Sequence, residues 1–249
     1  MGQQRSFDDP SLWRVSAFER FQRDTGSSGY ARLDGPTVLP TTLVADLRRH
    51  DTDAARGDVL EIVAACLRHR ESALLYLRHD GLVWPVTLFP ASDLYHAPHP
   101  LQPGGASGLV DVALLAIEPP ALRPPGHYQR DRVGREDLYR PLAPLLWQLA
   151  LYGPRERLLA EIGGSAAYRA TSGVQGAGLG ASGALSSALE RLRRETVPLR
   201  EIATWPGVGV ERGARLLNAL YLTRSLMVMR SHPMARPEPV DRAPRRGLR

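Results

Sequence analysis

The chain has 249 residues, a formal net charge of +6 and a pI of about 10.0. All 32 of its basic side chains are arginines. The absence of lysine excludes a phosphate-loop lysine, a Schiff-base lysine and the ATP-binding lysine of protein kinases. A hydrophobic fraction of 43% and a charged fraction of 23% are typical of a globular protein with one or two domains.

The positive charge is concentrated near the C-terminus. Residues 190–249 contain 13 arginines and 6 acidic residues, whereas residues 1–189 contain 19 and 20. The basic excess therefore belongs to the last quarter of the chain, where an electrostatic role is expected. Residues 231–249 are rich in Pro and Arg and are predicted to be a disordered basic tail.

Cysteine content and hydropathy indicate the cellular environment. Cys66 is the single cysteine, so no internal disulfide can form, and its apolar neighbours predict a small buried hydrophobe. The first ten residues lack the pattern of a signal peptide. The longest apolar stretch, 109–117, is interrupted by Asp111 and is too short to span a bilayer. We therefore expect a soluble, cytoplasmic protein that does not insert into membranes.

The first elements in chain order are helices. Residues 1–57 are predicted to be an N-terminal extension with an amphipathic helix at 13–23 and a helix start at 39–42. Asp58 is the expected N-cap of a helix at 59–67, because the apolar positions there recur every three and four residues.

A hairpin is predicted next. Apolar runs at 73–77 and 82–89 flank an Asp80-Gly81 pair, which is a strong short-range hairpin signal. Pro85 predicts that the second strand lies at a sheet edge or carries a bulge. Residues 94–97 are predicted to add a third short strand.

The middle of the chain alternates between apolar runs and breakers. Residues 109–117 form either a strand or a buried helix, which periodicity alone does not decide. Four prolines between 118 and 136 predict a loop or linker. Helices are predicted at 137–151 and from Pro154, and a strand at 166–171.

The C-terminal region has the order of a winged helix. Helices are predicted at 182–197, 198–203 and 211–221, with a turn at 205–209 and a strand pair at 222–230. The fold class expected for the whole chain is α+β, with a small mixed helix and hairpin domain followed by a winged-helix-like domain. The predicted divisions are an extension at 1–57, an α/β domain at 58–183 with an insertion at 118–136, a winged-helix-like domain at 184–230 and the tail at 231–249.

Two stretches carry a family resemblance. The run Asp58-Val59-Leu60-Glu61-Ile62, the strand at 73–77 and the segment 86–97 resemble the helix and hairpin of the PATAN domain, a bacterial signalling module. Residues 198–226 resemble the small helical region that often follows that domain. The chain departs from the family in the turn at 90–93, where glycine is usual, and it has no receiver domain.

The resemblance implies a function based on surface recognition. It suggests a non-enzymatic adaptor or regulator that binds another bacterial signalling protein, in a two-component or motility pathway, without a cofactor. The aromatic residues Trp84, Tyr95 and Trp205 are the candidate partner-binding residues, with a place in the core as the competing role.

A DNA-binding transcriptional regulator is the alternative function. In a winged helix the third helix enters the major groove, and basic side chains near it contact phosphates. The candidate residues for nucleic-acid contact are Arg212, Arg215, Arg224 and Arg230.

Signals for catalysis are weaker still. The run Gly178–Gly183 fits a dinucleotide fingerprint, but no apolar strand directly precedes it, which favours a flexible linker. His96 and His99 have a two-histidine spacing, although a metal site needs three or four ligands. An enzymatic function would require a ligand pocket formed by these histidines or by loop 176–183. No catalytic, cofactor-binding or metal-ligating residue is assigned.

Overall fold

The computed structural model confirms the α+β fold class. Its described residues form seven helices, one antiparallel six-stranded sheet and a separate two-stranded antiparallel sheet. The residues that the structure describes are 12–26, 39–50, 58–101, 108–172 and 179–235. Residues 236–249 of the predicted tail and residues 173–178 lie outside the described residues.

The helices and strands have the following bounds. The helices are α1 Val15–Thr25, α2 Thr41–His50, α3 Val59–His69, α4 Leu142–Tyr152, α5 Ala184–Arg194, α6 Leu199–Ile202 and α7 Gly209–Leu222. The strands are β1 Trp13–Arg14, β2 Ala73–His79, β3 Leu82–Phe89, β4 Leu94–His96, β5 Ala113–Glu118, β6 Tyr139–Pro141, β7 Ala167–Ala170 and β8 Leu226–Met229. Within the described part of the chain, no helix is long and apolar enough to cross a membrane.

The predicted hairpin forms the centre of the large sheet. Its strand order is β5-β2-β3-β4-β6, and β1 also pairs with β3. Asp80 and Gly81 have φ angles of 50° and 72°, which match the twist required by a two-residue hairpin turn. The predictions of the hairpin and of a third strand at 94–97 are confirmed.

Pro85 lies in an interior strand, so its predicted position at a sheet edge is wrong. On the side of β3 away from β2, β1 pairs with residues 82–83 and β4 with residues 87–89. Pro85 falls between these two pairings. The missing backbone N–H is tolerated there because no neighbouring strand pairs with this position on that side.

Each face of the sheet is covered by a different group of apolar side chains. One face packs with α3 and α4 into the main core, which contains Leu75, Leu146 and Leu217. The other face contains Tyr76 and is covered by Phe18 of α1 and by the start of the Pro-rich segment. The main core therefore includes side chains from both sides of the predicted boundary at 183 and 184.

The C-terminal helices confirm the predicted helix order, but the wing hairpin is wrong. The helix α7 continues to Leu222, and Ser225 N donates a 2.7 Å hydrogen bond to Leu220 O at its end. Too few residues then remain for two strands, and 226–229 forms the single strand β8. This strand pairs with β7, which lies before the first helix of the unit.

Two predicted helices also differ in the structure. Residues 139–141 pair with β4 as strand β6, so α4 begins at Leu142 rather than near 137. No helix forms at Pro154. Residues 153–165 instead make an irregular segment, hereafter the pinned loop. Long-range polar contacts form hydrogen bonds with backbone groups of this segment that a helix would have paired internally.

The pinned loop is held between α3 and α7. Arg155 pairs with Glu61 of α3 at 2.6 Å and also with Asp58. From α7, Asn218 accepts a 2.9 Å hydrogen bond from Leu159 N, and its amide donates to the carbonyl of Arg157 at 3.0 Å. Glu61 and Asn218 are both buried, so these contacts hold the pinned loop against the core.

Removal of Glu61 tests this arrangement. We expect Glu61→Ala to lower the free energy of unfolding by roughly 3 kcal/mol, because Arg155 loses its buried partner. Urea denaturation measures this difference. The matched control is Glu190→Ala, which removes an exposed ion pair with Arg193 and should cost less than about 1 kcal/mol. Equal losses in the two variants would contradict a structural role for the buried pair.

Candidate functional site

Arg215 does not fit the predicted nucleic-acid surface. Its side chain is only 9% exposed, and it donates hydrogen bonds of 3.1 and 2.8 Å to the carbonyls of Leu151 and Gly153. Its guanidinium also pairs with Glu211 at 3.0 Å. Arg215 therefore joins α7 to the end of α4, and the predicted contact with DNA would require it to leave these partners.

The other three predicted arginines are exposed but have protein partners. Arg212 donates to a backbone carbonyl in the turn before α7, and Arg224 lies 3.3 Å from a carboxylate oxygen of Asp93. Arg230 donates to two backbone carbonyls of the pinned loop, at 2.7 and 2.9 Å. These arginines remain reachable by phosphate, but each would have to exchange an existing contact.

The helix α7 has little free surface for a DNA groove. All residues from Gly213 to Leu220 are buried, and only the first turn of the helix is exposed. A Cβ at Gly213 would lie 3.0 Å from Leu199 Cδ1, so α6 packs directly against this helix. The helix that a winged-helix protein uses to read bases is here a central part of the core.

The predicted partner-binding aromatics are mostly core residues. Tyr95 and Trp205 are 5% and 6% exposed, and the guanidinium of Arg191 lies 4.5 Å from the centre of the Trp205 ring. Trp84 is half-buried, with the rings of His79 and His99 each 6.1 Å from its own. Of the three candidates, only Trp84 has substantial accessible surface.

The remaining sequence candidates are placed apart from one another. His96 is buried against Tyr139, whereas His99 faces Trp84. In the described part of the Gly-rich run, Gly180 O accepts a 3.0 Å hydrogen bond from the indole of Trp147, so this part is tied to α4.

Cys66 is buried in the main core, as predicted from its apolar neighbours. Burial raises the pKa of its thiol to about 12, with smaller effects from the local backbone and from Glu71. The thiol is therefore protonated at neutral pH, which makes it a poor nucleophile.

The structure reveals a histidine and carboxylate cluster that the sequence analysis missed. His79 Nδ1 lies 2.6 Å from Asp111, and its Nε2 lies 3.5 Å from Asp80. One ligand atom from each of the three residues lies within 4.8 Å of the others. Both ring nitrogens of His79 already face carboxylates, so we interpret the cluster as a connection between the hairpin turn and the start of β5.

The pKa of Asp111 reflects this connection. Burial alone raises the pKa, but a 2.8 Å hydrogen bond from Asp80 N and the contact with His79 lower it by more. The net pKa lies below its ordinary value, so the charged carboxylate stabilises the folded chain.

A second feature missed by the sequence analysis is an ordered loop at 123–133, hereafter the Tyr128 loop. It is closed at its base by a 2.8 Å hydrogen bond from Arg123 N to Arg132 O. The hydroxyl of Tyr139 donates to Arg123 O at 2.6 Å and accepts from Gly134 N at 2.9 Å. The Pro-rich segment is therefore a fastened loop rather than a linker.

The Tyr128 loop presents an aromatic side chain to solvent. Tyr128 is 84% exposed, and its ring stacks on that of His127 with a centroid distance of 4.4 Å. The preceding residues Ala121 and Leu122 are buried under the sheet and anchor the loop. A tyrosine three residues after the Pro124-Pro125 pair is the sequence signal that could have identified it.

Comparison with protein-family models, curated proteins and solved structures returned no match. The class of protein is therefore defined by its own architecture. It is an α+β protein in which a six-stranded antiparallel sheet shares one core with a C-terminal helical unit.

Asp111→Asn tests the role of the histidine and carboxylate cluster. Because the folded-state pKa is lowered, the stabilising effect is present above the unfolded pKa of about 3.9 and is lost as pH falls through the folded pKa. We expect a loss of about 1 kcal/mol at pH 7, limited by partial exposure, that shrinks as the pH falls below about 3.9. Urea denaturation across this pH range measures it, with Asp131→Asn as the exposed control. A loss independent of pH would contradict this account.

Proposed function

We propose that the chain is a non-enzymatic signalling adaptor or regulator that binds a partner protein through the Tyr128 loop. The observation that carries this proposal is the 84% exposure of Tyr128 on a loop whose base is fastened by hydrogen bonds. Tyrosine is enriched among the residues that dominate the binding energy of protein interfaces.

The ordered base of the loop favours tight binding. Segments that become ordered only on association lose conformational entropy, which weakens the complex. Here Arg123, Arg132 and Tyr139 already close the loop, and Ala121 and Leu122 anchor it to the sheet. Much of the conformational entropy needed to order the segment around Tyr128 is therefore lost on folding rather than on binding.

The charges around the loop indicate the chemistry of the partner. Arg130 and Arg132 lie on the Tyr128 loop beside a single acidic residue, Asp131. The loop is thus basic around an aromatic tip. A partner surface with an apolar pocket and an acidic rim would accommodate the Tyr128 side chain and attract Arg130 and Arg132.

Two further considerations support a protein partner. The resemblance of 58–97 to the PATAN domain suggests a bacterial signalling role, and its helix, hairpin and third strand are present in the structure. The DNA-binding alternative loses its central element, because Arg215 and most of α7 are buried.

Affinity capture with matched variants tests the proposal. We expect Tyr128→Ala to weaken binding of the captured partner at least 10-fold, about 1.4 kcal/mol, because the aromatic anchor is removed. The control Tyr152→Ala removes another exposed tyrosine, at the end of α4. It should bind as the unchanged chain does. Quantitative mass spectrometry of the captured proteins measures the ratio.

The same experiment separates protein from DNA. Complexes that disappear after nuclease treatment, or that Tyr128→Ala leaves intact, would contradict the proposal. Because Tyr128 is exposed, Tyr128→Ala should change the free energy of unfolding by less than about 0.5 kcal/mol. A loss of binding can therefore be assigned to the surface rather than to unfolding.

A further inference from the structure

A cavity of about 510 Å3 lies beside the first turns of α4 and the edge strand β6. Its volume is in the range of about 300–1,000 Å3 that is usual for small-molecule sites. Leu101, Pro144 and Leu145 supply apolar wall, and Arg140, Tyr95 and Gln148 supply polar groups. Few polar groups within an apolar wall are the typical composition of a ligand site.

Arg140 is the charged group of this cavity. Its Nη1 donates to two backbone carbonyls, Ala97 O at 2.7 Å and Leu138 O at 2.9 Å. These contacts use both hydrogens of Nη1 and fix the plane of the guanidinium. Among the residues that the structure describes, Nε and Nη2 have no hydrogen-bond acceptor and no carboxylate pairs with Arg140. One edge of the guanidinium, with two parallel N–H donors, is left for a ligand.

Tyr95 and Gln148 add two more polar groups. Burial raises the pKa of the Tyr95 phenol, which the nearby charge of Arg140 partly opposes, so the hydroxyl stays protonated at neutral pH. Gln148 lies one turn along α4 from Pro144, and its Oε1 is buried without a hydrogen-bond partner. This oxygen is an acceptor and a carboxylate has no hydrogen to donate, so Gln148 can assist a carboxylate only through the N–H donors of its amide.

We infer that this cavity binds a small organic monocarboxylate with an apolar body. The free edge of Arg140 matches the two oxygens of a carboxylate, and the Tyr95 hydroxyl is a further donor beside it. The apolar wall formed by Leu101, Leu145 and the prolines accommodates an alkyl chain or ring. Among the described residues that line the cavity, Arg140 is the single cation, so a phosphate dianion would keep an unmatched charge there.

This site is independent of the proposed partner surface. No residue of the Tyr128 loop lines the cavity. A failed test of partner binding through Tyr128 therefore leaves the carboxylate site untouched, and the reverse also holds.

The inference is tested by calorimetric titration of the full chain with hexanoate, hexanamide and hexyl phosphate. Each ligand has six carbons; hexanoate and hexanamide carry one of them in the head group, whereas all six form the alkyl chain of hexyl phosphate. We expect hexanoate to bind at least 10-fold more tightly than either of the others, because hexanamide lacks the charge that pairs with Arg140 and the phosphate dianion carries a second charge that Arg140 does not match. Equal affinity for hexanoate and hexanamide, or no binding of any of the three, would overturn the inference.

Variants then assign the binding to this cavity. Gln148→Glu places a negative charge in the cavity. It should weaken the binding of hexanoate at least 10-fold while changing the affinity for hexanamide little. Gln129→Glu is the matched control, because it makes the same charge change on the Tyr128 loop. Tyr95→Phe removes only the hydroxyl and should weaken hexanoate about threefold.

Arg140→Gln should abolish the preference for hexanoate over hexanamide, with circular dichroism reporting whether the chain remains folded. If it unfolds, Gln148→Glu and Tyr95→Phe still decide the question. If hexanoate is still preferred over hexanamide to the same extent in both of those variants, the carboxylate binds elsewhere in the chain and the inference is overturned.

Discussion

The buried contact between Arg155 and Glu61 is the interaction on which much of the remaining structure depends. A buried charge lowers stability unless it is paired and hydrogen-bonded. Here both Glu61 and Arg155 have hydrogen-bond partners in addition to each other. Glu61 also accepts a hydrogen bond from Ala160 N, and the guanidinium of Arg155 donates to the carbonyl of Arg157. Together they replace some of the regular hydrogen bonds that residues 153–165 would make in a helix, so a long irregular loop can pack against the core.

The polar residues that hold this loop also determine what α7 can do. Asn218 faces the loop, and Arg215 faces the end of α4, so two sides of the helix are committed to contacts within the chain. A recognition helix needs one free face, which α7 lacks after its first turn. The helix order of a winged helix is thus used here to complete a core, and α7 leaves little surface for recognition beyond its first turn.

Local signals in the sequence predicted the elements that depend on neighbours in the chain. Asp58 accepts hydrogen bonds from the amides of Leu60 and Glu61, and Asp80-Gly81 forms the hairpin turn, because capping and turn geometry are set within a few residues. The helix at Pro154, the wing at 222–230 and the exposure of Arg215 were predicted wrongly. Each of these depends on a partner about 60 or more residues away, which periodicity does not encode.

The use of arginine for every basic side chain has a structural consequence that the net charge does not show. A guanidinium can donate to several carbonyls in one plane, which an ammonium group does less well. Arg155, Arg215 and Arg230 use this property to satisfy backbone carbonyls at the joints of the fold. The basic excess of the last quarter therefore overstates the charge free to attract a polyanion. Arg140 makes the same kind of backbone contact but keeps one edge of its guanidinium free, which explains why a residue with an ordinary structural role can also form the polar end of a cavity.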